Sequence, residues 1–174
     1  MRKYNTTNSH LLICLVLLIP TMLLAQPSCQ IRHFSIYNGL AQRTVSDIVQ
    51  DSKGFIWFST WNGLNRYDGY TFKNYKAYPG DGCTLTSNRI LRIVPDQQNN
   101  IWCQTYDLRI YLFDSRREKF IDILRPYENK KQQTYAVQNV YTLPKGVSWI
   151  VCDRGAFRID EQAYKAQEGE GITL

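Results

Sequence analysis

Residues 51–72, DSKGFIWFSTWNGLNRYDGYTF, decide the fold. Strand side chains alternate, so Phe55 and Trp57 fall on one face of an extended segment and Ile56 and Phe58 on the other. Both faces are apolar, which demands cover on two sides. Gly54, Gly63 and Gly69 punctuate the chain too closely for a crossover helix to supply that cover.

Repetition along the chain supplies it instead. Trp57, Trp102 and Trp149 each follow a strand-like run and a turn, at separations of 102 − 57 = 45 and 149 − 102 = 47 residues. Nine residues before each tryptophan stands an aliphatic residue (Ile48, Ile93, Val140), and three before it a turn residue (Gly54, Asn99, Gly146). Each unit closes on an apolar residue and an aspartate: Tyr67 and Asp68, Phe113 and Asp114, Ile159 and Asp160. The second unit holds one extra residue between its Trp and its Asp. Within the first unit, runs at 44–50, 55–60, 64–67 and 70–75 are divided by the turns DSKG, WNG and DG, which predicts four antiparallel strands on tight hairpins. Four strands per period of about 40–50 residues predict β-propeller blades, an all-β fold. The second face of FIWFST then packs on the next blade, and Ile48, Trp57, Ile93, Trp102, Val140 and Trp149 are expected to build the blade cores.

The stretch GLAQRTVSDIVQDSKGFIWFSTWNGLNRYDGYTFKNY (39–75) strongly resembles the two-component regulator propeller repeat, whose pattern runs GL, V, I, D, G, IW, GT, GL, YD and F. The later units, SNRILRIVPDQQNNIWCQTYDLRIYLFD and QNVYTLPKGVSWIVCDRGAFRID, keep the Trp and the closing Asp but lose part of GT and GL. The resemblance implies a periplasmic sensor region of a hybrid two-component histidine kinase responding to polysaccharide breakdown products. An oligosaccharide ligand, further blades and signalling domains are the partners it implies, with a homodimer left open and the parent anchored in the inner membrane.

The first 25 residues read as a secretory signal: Arg2 and Lys3, then a 15-residue apolar run from Leu11 to Ala25, too short to span a bilayer. Removing it leaves 149 residues, about three periods of 46, where a closed propeller takes at least about four blades. An incomplete propeller is therefore expected: 26–43 as a lead-in carrying the outer strand (Ile31–Tyr37) of a blade completed elsewhere, then blades at 44–78, 79–124 and 125–174. The remaining 19 Lys and Arg against 15 Asp and Glu give only +4 on scattered positions, which argues against a nucleic-acid partner. Cys29, Cys83, Cys103 and Cys152 show no CxxC spacing and so predict no metal site, while export permits disulfides in any of three pairings. Cys103 and Cys152 lie within strand-like runs and read as small core residues.

Propeller geometry gathers the loops leading into the innermost strands and the loops joining second to third strands on one face. These hold Asn38, Arg43 and Arg89, then Trp61, Asn62, Tyr106, Asp107, Asp153 and Arg154. Aromatic planes beside hydrogen-bonding and charged groups suit a sugar. Catalysis is the weaker reading: His33 is the one histidine after the signal, and Asp51, Asp68, Asp96, Asp114 and Asp160 recur at turn positions, where they serve backbone hydrogen bonding. No cofactor is implied. A protein-interaction module, lending open blade edges to a partner, is the remaining alternative. Mass spectrometry of the exported chain should find a new N-terminus at Gln26; retention of Met1–Ala25 in the membrane fraction would identify an uncleaved anchor instead.

Overall fold

The computed structural model describes residues 29–78, 85–160 and 172–173. Contacts divide the chain into two units, Met1–His33 and Phe34–Leu174, and the described regular structure belongs to the second. It consists of three four-stranded antiparallel sheets. The first holds β1 (Val45–Gln50), β2 (Ile56–Thr60), β3 (Gly63–Tyr67) and β4 (Phe72–Tyr75). The second holds β5 (Ile90–Pro95), β6 (Ile101–Thr105), β7 (Ile110–Asp114) and β8 (Lys119–Asp122). The third holds β9 (Val137–Leu143), β10 (Val147–Cys152), β11 (Gly155–Asp160) and β12 (Ile172–Thr173). Strands pair in sequence order, and the leading strands β1, β5 and β9 lie against one another, so the sheets fan out as propeller blades from an inner edge.

The turn residues three before each tryptophan are needed for their backbone. Gly54, Asn99 and Gly146 all adopt left-handed φ (88°, 64° and 72°), the conformation that closes the hairpin between first and second strands. The predicted extra residue of the second unit falls in the β6–β7 loop, where Leu108 takes φ 60°. The turn aspartates act as expected of side chains that replace backbone partners. Asp51 accepts from the backbone N–H of Lys53 and Phe55, Asp96 from Gln98 and Asn100, and Asp114 from Arg116 and Arg117. Asp68 accepts from Thr71 and Tyr70 in the same way, and those bonds hold its carboxyl below the usual range.

Two apolar seams join the blades. In the first, Trp57, Leu64 and Tyr75 of blade one press on Ile93, Ile101, Cys103, Tyr111 and Phe113 of blade two. The Trp57 ring lies 5.7 Å from Phe113 and 6.0 Å from Tyr75, and its indole N–H donates to Asp51 at 2.9 Å. In the second seam, Trp102, Ile110 and Leu112 of blade two meet Val140, Ile150, Cys152, Phe157 and Ile159 of blade three. Polar ties cross both seams at the inner strands: Ile93 N–H to Asp47 (3.1 Å) and Arg92 to Asn139 (2.6 Å).

Two expected core residues are not core. Ile48 is 56% exposed and Trp149 37% exposed. Pairing explains both: Ile48 lies opposite Phe58 and Trp149 opposite Tyr141, on the faces of the first and third blades that look away from the second. Their positions are equivalent to Ile93 and Trp102, yet no described sheet lies against them. The expected outer strand Ile31–Tyr37 is also absent among the described residues. Ile36–Asn38 form a 3-10 turn capped by Ser35, with Asn38 accepting from Ser35 N–H at 3.0 Å. An outer strand needs the inner strands of its own blade to bond with, and none lies beside it among the described residues. Phe34 packs instead on Tyr67 (5.0 Å) and Phe72 (5.6 Å) of blade one. Cys103 and Cys152 are buried and free, as small core residues, and burial raises both thiols, that of Cys152 to about 11. Cys29 is exposed and free, whereas Cys83 and the signal lie outside the described residues.

One helix, α1 (Arg125–Lys131), links blades two and three. Pro126 suits its first turn. Its Glu128, buried, receives both ends of the Arg109 guanidinium at 2.7 Å, and the same guanidinium reaches Asp122 at 3.1 Å. Glu128 also accepts from Tyr135 N–H at 2.9 Å. The hydrogen bonds Arg109 donates to Glu128 raise its affinity for its proton, against the effect of burial, and Asp122 adds to them. This cluster clasps the helix to the β6–β7 loop.

Three substitutions separate seam from open face. Trp57→Ala should lower unfolding stability by on the order of 3–5 kcal/mol through the cavity it leaves. Gly63→Ala should cost about 2 kcal/mol or more, because φ there is 102° and a Cβ would collide with the Tyr75 carbonyl oxygen. Ile48→Ala should change stability by roughly 0.5 kcal/mol or less. Urea titration of each variant checks the order. For the clasp, Arg109→Met should cost about 3–5 kcal/mol by stranding two buried carboxylates, and Arg109→Lys should restore only part of it, since a lysine cannot fork.

Candidate functional site

The loops joining second to third strands lie beside the segments leading into the innermost strands. In each blade the first loop residue donates its backbone N–H to a carbonyl 17 positions earlier: Trp61 to Thr44 (3.4 Å), Tyr106 to Arg89 (2.9 Å) and Asp153 to Ala136 (3.0 Å). One face of the molecule is therefore built three times over from the same backbone contact. Adjacent blades are stitched on this face as well, by Gly63 N–H to Asn88 O (2.7 Å) and Val137 N–H to Leu108 O (2.8 Å).

The side chains expected on this face differ in what they do. Trp61, Arg89 and Tyr106 come together: the Arg89 guanidinium carbon sits 5.1 Å from the Trp61 ring and 5.7 Å from the Tyr106 ring, and all three side chains are exposed. Both distances fall within cation–π range. Because Trp61 belongs to blade one and Tyr106 to blade two, the stack bridges the first seam. Asp107 stands next to it, but its carboxylate accepts from Thr105 (2.5 Å) and Thr86 (2.7 Å). Asn62 is half-buried and turned to the lead-in, donating to Ala41 O at 3.4 Å. It braces the lead-in together with buried Asn65, which accepts from Ala41 N–H at 2.8 Å.

Asp153 and Arg154 pair with each other at 3.4 Å, and Asp153 accepts from Ala136 N–H at 3.0 Å, closing the blade-three loop without joining the stack. Arg43 is exposed on the lead-in to blade one and makes no contact with the stack among the described residues. Thr86 is the member of this face that sequence reasoning missed. Its hydroxyl bonds Asp107 and also Tyr111 (2.7 Å), a pairing across 25 residues that no local pattern announces.

Among the described residues, no three metal-ligating side chains converge and no helix is long and apolar enough to cross a membrane.

Comparison with known proteins agrees with this architecture. Residues 39–62 match the two component regulator propeller family. A 55-residue stretch is 42% identical to Histidine kinase P4 of Formosa agariphila, covering 32% of this chain and 4% of that protein. Among solved structures, the extracellular domain of a hybrid two component system from B. thetaiotaomicron superposes over 81% of this chain and 19% of its own, with a TM-score of 0.63 at 24% identity. The extracellular domain of a one component system from the same organism matches over 75% of this chain and 18% of its own, with a TM-score of 0.51 at 22% identity. The chain thus spans a small part of each relative. Residues 39–62 thus resemble a two component regulator propeller repeat, and the chain folds as propeller blades.

Proposed function

We propose that the chain is an extracytoplasmic, ligand-sensing propeller segment of a two-component signalling receptor, and that it responds to an oligosaccharide held on the face of Trp61, Arg89 and Tyr106. The observation that carries this reading is the stack itself. Two aromatic side chains from different blades and one arginine converge, exposed, where loops gather at the strand ends. Rings beside a hydrogen-bonding cation recognise sugars through C–H stacking and directional donors. Similarity to a histidine kinase and to the extracellular domains of one hybrid two component system and one one component system supports the sensory role and the placement outside the cytoplasm. On this reading the segment performs no catalysis, and output belongs to signalling domains of the receptor.

A second reading, a protein-interaction module, has its own observation: Tyr141, Leu143 and Trp149 form an exposed apolar patch on the outer face of blade three. One set of experiments divides the readings. The chain is incubated with an oligosaccharide panel and followed by calorimetry for binding, by chromatography for cleavage, and by light scattering for association. Sensing predicts binding without cleavage. In a receptor carrying this segment, Trp61→Ala with Tyr106→Ala should weaken affinity by about tenfold or more while the melting temperature stays within a few degrees. Association with no sugar bound by any member of the panel would favour the interaction module, and new reducing ends would point to an enzyme.

A further inference from the structure

On the strength of the sensing reading, a question of ligand chemistry follows: which saccharide does this face select? The rings do not offer both faces to solvent, because Arg89 lies over each of them. Between Trp61 and Tyr106 lies the exposed Arg89 guanidinium. The backbone that carries it is held on both sides, since the Arg89 carbonyl accepts the Tyr106 N–H and the Arg89 backbone N–H reaches Ser87 at 3.2 Å.

Like Arg43, Arg66 and Arg92, Arg89 makes no salt bridge among the described residues, but it alone of these lies over exposed rings carried by two different blades. The neighbouring acid, Asp107, is occupied by two threonine hydroxyls. A flat cation between two rings, with its N–H fork unspent, is matched by an oxyanion that takes two parallel hydrogen bonds, and a carboxylate does so coplanar with the fork. We infer that the site selects a carboxylate-bearing saccharide, a uronate unit whose carboxylate meets the Arg89 fork while its ring lies against the exposed parts of Trp61 and Tyr106. Clamping removes rotamer freedom before the ligand arrives, so less ordering is left for binding to impose.

The test titrates the chain with galacturonate and glucuronate oligomers of two to four units and with galactose and glucose oligomers of the same lengths. Binding is read by calorimetry and by Trp61 fluorescence. The acidic series should bind about tenfold or more tightly than the neutral series, with affinity falling as salt rises. Arg89→Gln should erase that preference and Arg89→Lys should keep only part of it, each with an unchanged unfolding midpoint because the side chain is exposed. Equal or tighter binding of the neutral oligomers, a preference that survives Arg89→Gln, or preference for a sulfated oligomer over the uronates would overturn the inference and leave sugar sensing standing. If the uronates fail but a neutral member of the wider panel binds, the inference alone falls. If the whole panel fails, the sensing reading falls with it.

Discussion

The seam between blades one and two rests on Trp57. Its ring fills the gap between two sheets, against Phe113 and Tyr75, while its one polar atom is bonded to Asp51 in the turn that starts its own strand. Turn, strand and inter-blade contact are thus fixed by a single side chain, and a sheet that is apolar on both faces becomes soluble only through such a contact. The second blade solves the same problem less completely. Trp102 is fully buried, but its indole N–H has no partner, because Asn100 donates to the Asp96 oxygen equivalent to the one Trp57 uses. Apolar burial dominates there, and the roughly 1–3 kcal/mol cost of a buried unpaired donor is tolerated.

Charge is handled differently at the core and at the loop face. Where Arg109 is half-buried, two buried carboxylates neutralise it and the group serves as a structural clasp for α1. Where Arg89 is exposed, two rings hold it and its hydrogen-bonding capacity remains available. Desolvation makes the difference intelligible: a buried guanidinium without acids would be costly, whereas one at the surface keeps water on its edge until something displaces it.

Much of the fold was legible because the repeat marks both ends of each hairpin. The tryptophans, the left-handed residues Gly54, Asn99 and Gly146, and the turn aspartates Asp51, Asp68, Asp96 and Asp114 are fixed by local backbone needs, so their spacing carries the blade count and strand order. What spacing cannot carry is which side of a blade has a neighbour. Ile48 and Ile93 are equivalent by pattern and opposite in burial, as are Trp149 and Trp102. The helix α1 escaped notice since seven residues give almost no period, and its anchor Glu128 meets Arg109 across 19 positions. On the loop face the residue types were readable but not their partners. Asn62 turns to the lead-in at Ala41, Asp153 bonds Ala136 and Arg154, and Arg89 spans from one ring to the other.

The stack has a mechanical meaning as well as a chemical one. Trp61 is carried by one blade and Tyr106 by the next, and Arg89 follows Asn88, whose carbonyl takes the Gly63 N–H of the first blade. The spacing of the two rings is therefore a gauge of the angle between two sheets. Any group that wedged into or drew together that spacing would do work against the Trp57 seam, where the ring packs on Phe113.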